Sequence, residues 1–511
     1  MVTKKSNQQK AVITAHNISF EISGGFYIFQ DISISFDGEK SGLVGKNGTG
    51  KTTLLRILVG EIQPSEGKVY KTGKIAYLPQ DYNIDINQPI SDVFSATNQK
   101  HKIAARLEQL NLKNLDLNRP LSSLSGGERT KVVFAKLLLS DPDFIILDEP
   151  TNNLDSNSRE IIYKFVKEWR GGLLVVSHDR NLLNLVNRIL EMSDKGLKVY
   201  GGDYDNYKKQ KALEDSAAKR QLTYAKQEFK KIKKQAQETK IKQEKRSRHG
   251  KKVRDKIGMS RGMLGTMKET SEATSSGLLK LHEKRTEGAF DELEKAKAKI
   301  SPENAIKVDL SGTEVHAGKL VVELKNIKFS YKRAGKMLFD NFNLAIYGPT
   351  RLAINGPNGS GKTTLVKLIL KEIEPLEGKV FLGLDRFAYL DQSVSMLDRD
   401  KSLLENLKSI SGLDDNFARK WLARFMFRGQ DAFKKVGALS GGEKMRAALA
   451  CILAGDKPPN LLVLDEPTNN LDLNSIEQIE SALLNFHGAL IVISHDKSFL
   501  ESIKIEKELA L

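Results

Sequence analysis

Gly45-Lys46-Asn47-Gly48-Thr49-Gly50-Lys51-Thr52 follows the short apolar run Gly42-Leu43-Val44 and leads into Thr53-Leu54-Leu55. Its spacing is GxxxxGK[ST]. Glycines at these places let the backbone bend until its amides converge on phosphate oxygens, and the helix opening at the lysine adds its positive end. Lys51 is then placed to reach terminal phosphates, and the Thr52 hydroxyl to reach a magnesium ion. The stretch recurs as Gly356-Pro357-Asn358-Gly359-Ser360-Gly361-Lys362-Thr363, after Leu352-Ala353-Ile354 and before Thr364.

Three further motifs recur in the same order. Leu124-Ser125-Gly126-Gly127-Glu128 returns as Leu439-Ser440-Gly441-Gly442-Glu443. The nine residues from Leu147 to Asp155 return letter for letter from Leu464 to Asp472, and Ser177-His178-Asp179 returns as Ser494-His495-Asp496. Offsets of 311 to 317 residues mean two copies of a domain rather than a solenoid. Phe144–Leu147, Leu173–Val176, Leu461–Leu464 and Leu490–Ile493 are continuous apolar runs, as expected of buried parallel strands. A strand, phosphate loop and helix followed by more buried strands predicts α/β layered domains.

The acid pairs Asp148-Glu149 and Asp465-Glu466 end such strands. The first acid of each pair can hold Mg²⁺ and the second can polarise an attacking water. Ser177-His178-Asp179 carries the letters of a hydrolase triad, but three consecutive residues leaving a strand cannot converge as a triad does. Position instead favours His178 and His495 as phosphate contacts. Gln80 and Gln392 follow apolar segments between phosphate loop and Ser-Gly-Gly motif, where they can serve as Mg²⁺ and water ligands.

Together these residues resemble the ATP-binding cassette superfamily over roughly residues 12–204 and 320–511. The resemblance implies ATP and Mg²⁺ as cofactors and two sites, each closed by the signature of the other cassette. Gly45, Asn47, Gly48, Gly50, Lys51, Thr52, Thr53, Gln80, Asp148, Glu149 and His178 would act with Ser440, Gly441 and Gly442. Gly356, Asn358, Gly359, Gly361, Lys362, Thr363, Thr364, Gln392, Asp465, Glu466 and His495 would act with Ser125, Gly126 and Gly127. Catalysis would fall to Glu149, Glu466, His178 and His495, and the metal to Thr52, Gln80 and Asp148 or Thr363, Gln392 and Asp465. Tyr331 matches the family's adenine-stacking aromatic. The first cassette has no tyrosine at the matching place, which leaves Phe26 and Tyr27.

The 511 residues carry a net charge of +17, are 40% apolar and 28% charged, and include one cysteine, Cys451. That excludes an internal disulfide and a cysteine-rich zinc site and suits a reducing cytoplasm. No run approaches the ~18 apolar residues of a membrane span. The charge is concentrated. From Asp205 to Ile300 there are 27 Lys and Arg against 14 Asp and Glu, a surplus of 13 in 96 residues. Asn206–Ser247 has no Pro or Gly and predicts one helix of ~60 Å. A second helical pattern runs from about Met267 to Lys299, with Gly250, Gly258, Gly262 and Gly265 marking a reversal between them. The expected organisation is cassette 1 over 1–204, a helical hairpin linker over 205–318 with its tip near 248–266, and cassette 2 over 319–511.

Basic and apolar residues mingle at this tip: Arg246, Arg248, Lys251, Lys252, Arg254, Lys256, Met259, Arg261 and Met263. Basic side chains there can engage nucleic-acid phosphates with little sequence reading; a solvated spacer is the other reading. With the linker included, the resemblance narrows to the ABC-F proteins, which have tandem cassettes, a basic helical linker and no membrane domain. It implies a monomer whose cassettes pair within one chain. It also implies binding to the ribosome in the ATP-bound closed form, contact with ribosomal RNA and tRNA, and a linker tip directed toward the peptidyl-transferase centre. Hydrolysis would release it, in translation or in protection against antibiotics. Only 44 positions separate Gln80 from Leu124, too few for the helical arm that some members insert. The alternative is the ATPase subunit of a transporter with a separate membrane partner.

Overall fold

The computed structural model describes all residues except 1–11, 23, 81–84, 86, 96–98, 153, 255–260, 300–305, 307, 332–336 and 456. For 126, 247, 250–254, 261–276, 278 and 279 it describes the backbone alone. Residues 1–205 with 304–511 form one unit and Asn206–Glu303 another.

The first cassette opens with β1 (Val12–Ile22), β2 (Phe26–Phe36), β3 (Lys40–Gly45), α1 (Lys51–Val59), β4 (Glu66–Thr72) and β5 (Ile75–Leu78). It continues with α2 (Ile90–Val93), α3 (Lys100–Gln109), α4 (Gly126–Leu138), β6 (Phe144–Asp148), α5 (Ser156–Glu168) and β7 (Gly172–Val176). It closes with α6 (Arg180–Leu183), β8 (Arg188–Ser193) and β9 (Gly196–Gly201). The linker holds α7 (Tyr204–Arg254) and α8 (Arg261–Lys299).

The second cassette repeats the plan with β10 (Leu320–Phe329), β11 (Phe339–Tyr347), β12 (Arg351–Asn355), α9 (Lys362–Ile369), β13 (Glu377–Leu382) and β14 (Phe387–Leu390). Then come α10 (Leu403–Ser411), α11 (Asp415–Arg424), α12 (Gly441–Ile452) and β15 (Leu461–Asp465). Last are α13 (Leu473–Leu484), β16 (Ala489–Ile493), α14 (Lys497–Ser502) and β17 (Lys507–Ala510).

The main sheet of cassette 1 has the order β5-β6-β7-β3-β8-β9, and that of cassette 2 the order β14-β15-β16-β12-β17. Only β8 and β9 pair antiparallel in them. A smaller antiparallel sheet, β2-β1-β4 or β11-β10-β13, accompanies each. Every residue of β6, β7, β15 and β16 is buried, as their unbroken apolar runs require. Asp148 pairs with Val176 and Val176 with Leu43, so neighbouring strands end in register. The phosphate loop after β3, the acids after β6 and the histidine after β7 therefore share one sheet edge. It is the carboxyl edge, where open α/β sheets place their ligands.

The helices α7 and α8 form an antiparallel pair. Lys299 Nζ donates to Gln221 Oε1 at 3.3 Å, and the Phe229 and Phe290 rings lie 5.8 Å apart. As one residue number rises by eight the other falls by nine, which is an antiparallel register. The expected break at 248–266 is shorter than that: α7 passes Gly250 and α8 includes Gly262 and Gly265. A helical glycine costs about 1 kcal/mol against alanine, which the flanking Lys, Arg and Met residues offset. Arg246 and Arg248 are exposed. The side chains of Lys251, Lys252, Arg254, Arg261 and Met263, and all of Lys256 and Met259, lie outside the described residues.

The linker's expected end at 318 also shifts. Ile306, Val308 and Leu310 are buried in the core of cassette 2 with Phe486 and Leu483. Their period of two marks an extended strap rather than a helix. Ser481 Oγ donates to Ile306 O at 3.0 Å, and Asn460 Nδ2 to Thr313 O at 3.1 Å.

Candidate active sites between the cassettes

Gly50 has φ of 92°, and a Cβ added there would lie 2.3 Å from Ile28 of β2. Gly361 repeats this with φ of 102° and Leu338 at 2.8 Å. Only glycine fits, and the tight loop that results aims its amides at one point. Beneath it the Lys51 ammonium is buried and donates to Gly45 O at 2.7 Å and Lys46 O at 3.0 Å. Lys362 makes the same pair to Gly356 O at 2.7 Å and Pro357 O at 3.1 Å.

Across the sheet edge, Thr52 Oγ1 donates to Asp148 Oδ2 at 2.8 Å and Thr363 Oγ1 to Asp465 Oδ2 at 2.9 Å. Each is a hydroxyl and a carboxylate held together, the hard oxygen donors that suit Mg²⁺. Among the described residues no three His, Cys, Asp or Glu side chains group as a metal cage. Magnesium held by one or two protein oxygens together with phosphates and water needs none.

Glu149 and Glu466 both sit at φ of 48°, a left-handed conformation unusual for a side chain this size. Their N–H groups donate to Val176 O and Ile493 O, each at 2.9 Å, which holds the kink. The same outlier in both copies marks a built feature. Burial pushes the Glu466 carboxyl up to about 7, against the pull of Arg159, and raises that of Glu149 well above the usual range against Lys51. His495 is lowered to about 4 by burial, with Lys362 adding to it, and His178 is likewise pushed far down by burial. Both histidines are neutral near pH 7. His178 Nε2 lies 3.3 Å from Glu149 Oε1, and His495 Nε2 lies 3.5 Å from Glu466 Oε1. A buried carboxyl titrating near neutrality is suited to accept a proton from water.

Cleft 1, of about 380 Å³, brings together Asn47, Gly48, Gly50, Lys51, Thr52, Thr53, Gln80, Asp148, Glu149 and His178 from the first cassette with Asn470 from the second. Cleft 2, of about 390 Å³, adjoins the second site at its phosphate loop and histidine: it is lined by Asn355, Gly356, Pro357, His495, Lys497 and Glu508, with Asp155, Ser156 and Asn157 crossing from the first cassette, while Lys362, Thr363, Asp465 and Glu466 are outside its lining. The contacts are direct. Asn47 N–H donates to Asp472 Oδ2 at 3.0 Å and Asn47 Nδ2 to Asn470 O at 3.1 Å; Ser156 Oγ lies 3.1 Å from His495 Nδ1.

The signature residues do not line either cleft. Ser125 and Ser440 cap α4 and α12, each hydroxyl on the glutamate three residues on, Glu128 or Glu443, at 2.8 Å. A Cβ on Gly442 would meet Ser475 at 2.2 Å and one on Gly441 would lie 3.7 Å from Asn470 O. The signature of cassette 2 thus packs against the loop that touches Asn47. Gln392 follows β14 as Gln80 follows β5. It is exposed, as Gln80 is, and Asp391 beside it accepts from the Ser395 N–H and hydroxyl. The Tyr331 ring is half exposed beside the second phosphate loop, its hydroxyl 3.1 Å from Thr364 Oγ1. In cassette 1 Phe26 is 77% exposed on the strand that gives Ile28 to cleft 1.

The crossing residues Asn470, Asp472, Asp155 and Ser156 carry no role in the sequence reading. For Asn470, Asp472 and Asp155 the signal was the Asn-Asn-Leu-Asp end of the repeated nonapeptide, which extends beyond what the acid pair alone requires; Ser156 lies just past it and is not repeated.

Two phosphate loops, each followed by a strand-end acid pair and touched by the partner domain, define a tandem ATP-binding cassette ATPase. The family model described as ABC transporter matches residues 29–152 and 339–469. ATP-binding protein Uup of Buchnera aphidicola (from Acyrthosiphon pisum) is 32% identical, over 96% of this chain and 79% of that one. Energy-dependent translational throttle protein EttA of Escherichia coli K12 is 32% identical, over 96% of this chain and 91% of that one. The chain belongs to the ABC-F family. Among solved structures, RNase-L Inhibitor aligns with a TM-score of 0.61 at 19% identity, over 96% of this chain and 86% of that one. An archaeal ribosome recycling factor, solved with a ribosomal stalk protein, aligns equally well at 19% identity, over 97% and 87%. At this identity they support the fold alone.

Proposed function

We propose that this ATPase acts on the ribosome from the cytoplasm, as a translation factor or as a protector against antibiotics. The observation that carries the reading is the pairing of two complete cassettes in one chain with a two-helix basic linker between them. The name of the 32% identical relative, a translational throttle, supports it. Among the described residues no helix is long and apolar enough to cross a membrane.

In this reading the loop amides of Gly45–Gly50 and Gly356–Gly361, with Lys51 and Lys362, hold phosphates. Thr52, Gln80 and Asp148, or Thr363, Gln392 and Asp465, would hold Mg²⁺, which neutralises phosphate charge when bound. Glu149 and Glu466 accept a proton from the attacking water, and His178 and His495 orient beside them. Phe26 and Tyr331 offer rings to adenine. Closing around nucleotide brings the capped helix starts at Ser125 and Ser440 against the opposite site. The linker then presents its basic face to ribosomal RNA and tRNA, its tip toward the peptidyl-transferase centre, and hydrolysis releases the protein.

The test is Glu149→Gln with Glu466→Gln, sedimented from cell extract with ATP. The variant should travel with ribosomes at low salt, and absence from the ribosomal pellet would defeat the proposal.

A further inference from the structure

Equivalent positions around the clefts lie 317 residues apart: Asp148 and Asp465, Asp155 and Asp472, His178 and His495. Two positions that reach toward the partner cassette break the pattern. Ser156 corresponds to Leu473, and Arg159 to Ile476.

In cleft 2 the Ser156 hydroxyl meets His495 Nδ1 at 3.1 Å, while Nε2 faces the Glu466 carboxylate. A hydroxyl can donate to or accept from Nδ1, so Ser156 serves either tautomer of the ring. This one hydrogen bond from the first cassette fixes the ring. Arg159, a turn further along α5, adds a buried positive charge that acts on Glu466 and His495. In cleft 1 His178 faces Glu149 in the same way, yet its Nδ1 is buried with no hydrogen-bond partner among the described residues. Leu473, at the place of Ser156, has no donor to give.

The geometry points to two unequal ATP sites, with Ser156 a positioning residue that acts across the interface on His495 and makes cleft 2 the faster-hydrolysing one. The inference rests on the roles proposed above for Glu149, Glu466 and the two histidines. Because Ser156 leads directly into α5 of the first cassette, any shift between the cassettes changes the hydrogen bond in cleft 2 and leaves none to change in cleft 1.

Single-site chains separate the two. Glu149→Gln leaves cleft 2 to hydrolyse and Glu466→Gln leaves cleft 1; the Glu149→Gln chain should turn over faster. Adding Ser156→Ala to it should lower kcat about fivefold, the worth of one such hydrogen bond, with KM unchanged. Ser156→Thr, which keeps the hydroxyl, should restore kcat. Leu473→Ser in the Glu466→Gln chain should raise its kcat. Equal rates in the two single-site chains, a change in KM alone, or no rescue by threonine would overturn the inference while leaving the glutamate roles intact. Full hydrolysis by the double glutamine chain would remove those roles and the inference with them.

Discussion

The Arg180 guanidinium of the first cassette closes a two-point ion pair on Glu480 of the second, Nη1 to Oε1 at 2.8 Å and Nη2 to Oε2 at 3.2 Å. Both side chains are about one-tenth exposed. Arg180 stands two residues after His178 and shares its surroundings with Tyr204, where α7 begins. The pair thus joins one cassette's site to the other cassette.

Removing one partner strands a buried charge. Arg180→Met or Glu480→Leu alone should therefore destabilise by about 3–5 kcal/mol, while the double variant should recover most of that loss. Thermal melts of the four nucleotide-free proteins read this directly. Both singles should melt lower than the double, and additive losses would mean the two groups do not act as a pair.

Phe26 shares a strand face with Ile28 by the two-residue period, and Ile28 lines cleft 1. Its exposed ring is proposed for adenine. Phe26→Ala should raise the KM for ATP of the Glu466→Gln chain several-fold, while Phe26→Trp should keep it low. The expected loss is about 1 kcal/mol, as for one aromatic stacking contact. An unchanged KM would move the adenine contact elsewhere.

The fold was legible because each step from strand to phosphate loop to helix leaves local marks: an apolar run, three glycines, a lysine. The acid pairs and histidines were legible because they recur at one offset. The crossing contacts were not, since Asn47 and Asp472 are far apart in the chain and meet only once two domains pair. The hairpin tip was overestimated because single glycines do not end a helix whose other residues favour it. The strap at Ile306, Val308 and Leu310 is not legible as part of cassette 2, because three alternating apolar residues among polar ones make too short a signal.

Glu466 makes stability depend on pH. Its folded-state carboxyl titrates near 7 against 4.5 in the free side chain, so the folded state holds the proton more tightly. Stability from this group is present below about pH 4.5 and is lost as pH rises through 7. Glu466→Gln, which cannot ionise, should match the parent near pH 4.5 and exceed it above pH 7, by up to about 3 kcal/mol. Denaturant unfolding of nucleotide-free protein in EDTA across that range measures the difference. A gap that shrinks with rising pH would show that the buried carboxylate is compensated.

The basic linker makes a prediction about salt. Arg246 and Arg248 are exposed near the end of α7. If they neutralise RNA phosphates, each contact releases condensed counterions, and log affinity falls linearly with log salt by about 0.7 to 0.9 per contact. Removing both arginines from the Glu149→Gln, Glu466→Gln chain should therefore weaken ribosome binding at low salt and also flatten its salt dependence, by about 1.5 in slope. A loss of affinity with the slope unchanged would mean that the arginines support the hairpin rather than touch phosphate. Reversal by longer helix-stabilising substitutions on α7 would point the same way. ATP hydrolysis off the ribosome should be untouched by the double change, because the groups proposed to act on ATP all lie within residues 26–178 and 331–495. Filter binding or sedimentation at four or five salt concentrations distinguishes these outcomes.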